Sequence, residues 1–155
     1  EDYEAKNLHN AIEFMKVYPS QLDEDGEIKP SYWRWARPGW KQDEPHKPET
    51  IKDPQFYLWD QNRYGLVQMR KNIYIPFYYK VIKDTRDYKI FGNAHRNLGE
   101  VWVYDHEAKD HRSKFRDYPD IINDANLFID HAFILVMIGE LGPDGAYNVC
   151  ADHPS

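Results

Sequence analysis

The seven histidines are the side chains of this chain best suited to chemistry, and several lie beside carboxylates. His106-Glu107 and Asp110-His111 place two imidazoles five residues apart, next to Asp105, with His95 and His131 elsewhere. Neutral imidazole and carboxylate are good zinc or iron ligands, and ligands commonly come from one short segment plus distant ones. On that chemistry the metal candidates are His106, His111 and His131. The spacing speaks against them. Ligands sharing a helix face are three or four apart, whereas five residues is about 500° of rotation and splays the rings. His-Glu-x-x-His, Glu-x-x-His and Cys-x-x-Cys are all missing from the sequence. Solvated polar side chains on a charged loop account for the cluster more simply, and no metal or other cofactor is assigned.

Asp130-His131 interrupts the most apolar run of the chain. A histidine beside a carboxylate on a buried element could serve as a general base oriented by its neighbour. Adjacent residues point to opposite faces of a strand and diverge by about 100° on a helix, so the pair cannot form such a dyad directly. A buried acid or imidazole hydrogen-bonded to backbone is the plainer reading. The single cysteine, Cys150, has His153 three residues on. A nucleophile needs a held base and an oxyanion donor, and nothing near it announces either. The glycines at 92, 99, 139, 142 and 145 form neither a dinucleotide fingerprint nor a phosphate loop.

Residues 19–59 are the most distinctive stretch. They hold six of the ten prolines and four of the five tryptophans (Trp33, Trp35, Trp40 and Trp59). Proline fixes φ, removes a backbone donor and pushes the preceding residue toward extended geometry, so an irregular arm without helix or central strand is expected. Tryptophan is too costly in water to be strewn along a free linker. The arm must therefore lie against its own core or against another protein. Trp33 and Trp35 would share one side of an extended segment, which could also make a sugar-stacking platform with Trp40. Arg34 and Arg37 could stack on the rings.

Composition narrows the classes. Aromatic residues make up 15%, with twelve tyrosines, so much of the apolar content is in amphipathic rings that suit half-wet interfaces. A net charge of −6 argues against nucleic acid as partner. With one cysteine no internal disulfide can form. No apolar run reaches the length of a membrane span, so the chain is expected to have none of its own, although it could sit at the periphery of a membrane complex. The start at Glu1 without methionine reads as a processed end and suits an organellar protein, for example a mitochondrial one, or a secreted one.

The elements that would position these groups are short. Ala5, Leu8, Ile12 and Met15 form a helical stripe, with Asp2 as cap and Pro19 as stop. Residues 60–71 have mixed helical character, with Leu66 and Met69 facing one way and Gly65 weakening the pattern. Residues 72–83 are rich in β-branched and aromatic side chains and read as a strand, with Pro76 implying an edge or a bulge. Tyr88 to Phe91 would return as a hairpin arm, and the alternation in 100–105 is the clearest strand signal. Residues 106–118 read as a surface helix or loop. A helix is expected over 119–127, then a buried strand over 131–140 paired with 146–151 through a turn at Pro143-Asp144-Gly145. A helix through 132, stopped at Gly142-Pro143, is the competing reading.

The sum is an α+β fold: a small, mostly antiparallel sheet, two or three short helices and a long irregular arm. As domains, 1–18 is an N-terminal helix, 19–64 the arm and 65–155 a compact β-rich body, forming a single domain overall. Asp53-Pro54 followed by Leu58-Trp59-Asp60-Gln61 resembles aromatic–proline docking segments in accessory subunits of respiratory complexes; the resemblance covers residues 53–61 and carries no residue role. The function that fits best is a non-catalytic accessory subunit docked on other protein subunits through Trp33, Trp35, Arg37, Trp40, Tyr57 and Trp59. A small ligand- or carbohydrate-binding domain is the alternative, and a histidine-based metal enzyme the third.

Overall fold

The computed structural model describes residues 4–48, 52–105, 109–112 and 116–151. It is a mixed α+β fold in two compact units, Glu1–Met69 and Arg70–Ser155. All strands of the described residues lie in the first.

The first unit begins with α1 (Leu8–Phe14). Its cap is Asn7, whose side chain accepts the Asn10 N–H, rather than Asp2, which is outside the described residues. Strand β1 (Lys16–Val17) pairs antiparallel with β2 (Phe56–Trp59), and β2 with β3 (Asn62–Tyr64), in the register Val17 to Phe56 and Tyr57 to Tyr64. Asp60 and Gln61 both take positive φ, 46° and 63°, as a two-residue hairpin turn matching the strand twist requires. Gly65 then precedes α3 (Leu66–Met69).

The arm expected over 19–64 without helix or central strand contains both: an α-helix, α2 (Pro30–Trp40), and β2, the middle strand of the sheet. Pro30 occupies its first turn, where a missing N–H costs nothing, and Pro38 falls in the last. Prolines at the two ends punctuate a helix without breaking it. Tyr32, Ala36 and Gly39, at spacings of four and three, are its buried face. A Cβ on Gly39 would lie 2.2 Å from the Phe14 ring, so glycine is what lets α1 and α2 meet this closely. The Tyr32 hydroxyl donates to the Phe14 carbonyl at 2.9 Å, satisfying a wholly buried phenol. The irregular part, 41–48, is held by fully buried Asn10. Its amide donates to the carbonyls of Gln42 and Glu44, and its oxygen accepts from the His46 N–H.

The second unit is helical, not β-rich. A π-helical turn (Arg70–Tyr74) leads into α4 (Ile75–Ile82), where a strand was expected. The expected hairpin arm lies inside α5 (Arg86–Leu98), capped by the Thr85 hydroxyl and ended by Gly99 at φ 73°. Residues 100–105 have no regular structure. Helix α6 (Tyr118–Asn123) is shorter than expected, with Asp117 as cap.

Helix α7 (His131–Cys150) replaces the expected strand pair. Phe133, Ile134, Met137 and Ile138 are buried together, a 3.6-residue period that a continuous apolar run conceals. Gly142, at φ 72° and ψ 167°, breaks the helical path, and Pro143 restarts it, so the turn signal became a kink. β-Propensity is worth little per residue and yields to burial of a helical face. The core of the unit joins these α7 residues to Ile75, Tyr118, Ile121, Ile122 and Ile129.

Candidate functional site

The densest group of chemistry-bearing side chains gathers where α7 begins. Asp130 caps the helix: one carboxylate oxygen accepts the Phe133 N–H at 2.8 Å. The other oxygen, Oδ2, is buried without a hydrogen-bond partner, and the residue is 8% exposed. His131, the first helical residue, directs its ring to the second unit's tyrosines. Its Nδ1 lies 2.7 Å from the Tyr74 hydroxyl, and its ring stacks on Tyr78 at 5.1 Å and 9°. Capping by one residue and stacking by the next is what about 100° of divergence allows. Asp130 and His131 thus form no direct dyad.

Burial drives the Tyr74 phenol far above its ordinary value, and the negative charges of Asp130 and Asp105 add to the shift, with Arg70 opposing. Tyr78 is raised by burial and by the same two carboxylates. Both phenols are therefore neutral at physiological pH. With the imidazole proton on Nε2, Tyr74 donates to Nδ1. Arg70, one turn before Tyr74, donates to the carbonyls of Asp124 and Leu127. Arg70 and Tyr74 together fasten the segment joining α6 to α7, a positioning role for backbone rather than for a substrate.

A second group straps residues 110–112 to the helices. The Arg112 guanidinium holds Asp110 through Nε and a terminal nitrogen, both at 2.8 Å, and also donates to Glu140. The Tyr118 hydroxyl donates to the other Glu140 oxygen at 2.6 Å. The hydrogen bond from Arg112 holds the Asp110 carboxyl below the usual carboxylate range. His111 Nε2 lies 2.7 Å from the Phe128 carbonyl, so this imidazole is engaged with backbone.

His111 and His131 have the separate partners just given, and His106 lies outside the described residues. Among the described residues no three His, Cys, Asp or Glu side chains are grouped to hold a metal ion. Cys150 is buried, and burial pushes its thiol up to about 11, which leaves little thiolate nucleophile near neutral pH. His153 lies outside the described residues.

The aromatic candidates lie in the first unit. Trp33, Trp35 and Trp40 are half-buried against its core of Phe14, Val17, Tyr32, Ala36 and Phe56. Trp35 packs on Phe14 with ring centroids 4.7 Å apart. Arg37 does stack on Trp33, at 5.7 Å, while Tyr57 is buried and Trp59 half-buried. The rings thus pin α2 to its own unit. Sequence reasoning missed Arg70, Tyr74 and Tyr78, whose spacing of four would have marked one face had 72–83 been read as helix.

No protein-family model, no curated protein and no solved structure matches this chain. Fold and side-chain geometry carry the functional reading alone.

Proposed function

We propose that this chain is a non-catalytic accessory subunit of a larger protein assembly. One observation carries the reading: among the described residues, every strongly exposed large apolar side chain falls in the second unit. Leu98 is 74% exposed, Trp102 88%, Tyr104 89% and Tyr147 69%. Exposed apolar side chains mark contact surfaces when they gather, as Leu98, Trp102 and Tyr104 do along the chain, and Trp and Tyr dominate the energetics of such contacts. The docking role therefore passes from the tryptophans of α2, which spend their apolar faces on their own core, to the second unit. Engaged imidazoles and a protonated, buried thiol favour a binding role over a catalytic one.

The test is the mass of the particle in which the native chain travels, taken by gentle extraction, sizing and light scattering, with cross-links mapped by mass spectrometry. A particle several times the mass of the chain, with cross-links to other proteins from the surface around 98–104 and 147, is expected. A native particle of the chain's own mass overturns the reading.

A further inference from the structure

Residues 100–105 carry the clearest strand pattern of the sequence, yet they belong to no strand of the fold. They leave α5 after Gly99 and run on without turn or bend. Burial alternates along them: Val101 and Val103 are half-buried, whereas Trp102 is 88% and Tyr104 89% exposed. A two-residue period is what extended backbone produces, with both rings on the outer side. Among the described residues these six make no hydrogen bond, through backbone or side chain. An extended segment whose N–H and C=O groups are unpaired is a template for a further strand. Val, Trp and Tyr favour such pairing, and six residues span about 20 Å, an ordinary strand length.

Charge at the two ends says what kind of strand fits. Glu100 and Asp105 bracket the segment, both exposed and, among the described residues, in no ion pair. Antiparallel pairing of two copies over all six residues would set Glu100 opposite the second copy's Asp105. Parallel pairing would set each carboxylate against its own twin. Like charges directly opposite destabilise a ladder, so a second copy is the wrong occupant. A strand with a cation at each end is the complementary one.

We infer that residues 100–105 dock by strand addition onto an extended segment of another protein that carries Lys or Arg opposite Glu100 and Asp105. In this mode the main-chain ladder supplies affinity and the alternate side chains supply specificity. Trp102 and Tyr104 would lie on one face of the joint ladder, against the partner's outward side chains. The inference deepens the assembly reading, on which it rests for the existence of the partner, by naming the contact and the chemistry of what meets it.

The test titrates the purified, isotope-labelled full chain with two hexapeptides that alternate valine and threonine between their ends. One peptide has lysine at both ends and the other glutamate. The lysine peptide should shift the amide signals of 101–104 in NMR spectra, and the glutamate peptide should bind about tenfold more weakly. Glu100→Lys combined with Asp105→Lys should reverse that preference. Neighbouring N–H groups point to opposite edges, so one of Trp102→Pro and Val103→Pro should weaken binding about tenfold with an unchanged circular dichroism spectrum. Amides of 101–104 that neither peptide shifts overturn the inference. So does equal binding of the two peptides, or the same shifts on concentrating the chain alone. Hydrogen exchange on the native particle separates this failure from that of the assembly reading. A heavy particle whose 101–104 amides exchange as fast as in the free chain overturns strand addition alone. A particle of the chain's own mass overturns the assembly reading, and the peptide titration then decides strand addition by itself.

Discussion

The two units solve the problem of a small core in opposite ways. The first has a five-residue aromatic centre of Phe14, Val17, Tyr32, Ala36 and Phe56, and surrounds it with half-buried tryptophans. The second builds an aliphatic centre on Ile134, Met137, Ile138, Ile121 and Ile122, yet leaves Leu98, Trp102 and Tyr104 in water. The tryptophan-rich unit is therefore the self-contained one, and the tryptophan-poor unit carries the exposed ring. Density of large aromatics in sequence does not report a docking face; what matters is whether nearby backbone offers a core. Trp35 has Phe14, Tyr18 and Tyr32 within ring contact. Among the described residues, Trp102, on irregular backbone, has no such ring contact and is 88% exposed.

The sharpest way to break the comparison is at the first unit's closest contact. Gly39→Val places a side chain into the Phe14 ring and should cost about 3 kcal/mol in urea unfolding. A neutral outcome would show that the α1–α2 contact has slack. Next, Trp35→Ala should cost about 2–3 kcal/mol, against a change within about 0.5 kcal/mol for Trp102→Ala. Equal effects of the two substitutions would erase the contrast.

Alkali tests the second core. The Cys150 thiol is raised from 9.0 to about 11 in the fold, so the unfolded chain loses its proton first. The stability this contributes is complete below pH about 9 and drains away as pH rises to about 11, by about 2 kcal/mol. Denaturant midpoints measured across that range should fall in the wild type more than in Cys150→Ala. The smallest effect is at the start of α7. Tyr74→Phe removes the hydroxyl on His131 Nδ1 and should cost about 1 kcal/mol, with a shift of the His131 ring nitrogens in NMR spectra. Unchanged ring signals would mean the bond is not formed in solution.

Local chemistry made part of this legible. The first helix was readable from its apolar stripe; the α+β class held, although none of the segments read as strands is one and the sheet lies at 16–17, 56–59 and 62–64 instead. The helix expected from Pro119 exists, with that proline in the first turn of α6, although it starts at Tyr118 and ends at Asn123 rather than near 127. At the candidate site, that neighbouring Asp130 and His131 point apart follows from adjacency, and Asp130 hydrogen-bonds the Phe133 N–H. The partners of His131 were not readable, because Tyr74 is 57 positions away.

Composition, spacing and chain chemistry thus determined the charge balance, the lack of an internal disulfide and the approximate place of the first helix and of the start of α6. Tertiary structure decided the rest. Residues 72–83 and 131–150 carry β-formers, yet burying Ile75, Phe133, Ile134, Met137 and Ile138 on helical faces outweighs propensities worth a fraction of a kcal/mol each. Pro30 and Pro38 look like breakers in sequence, and only the packing of Tyr32, Ala36 and Gly39 on Phe14 makes them the two ends of a helix. Which tryptophans stay in water was decided the same way, by where the rest of the chain placed its core.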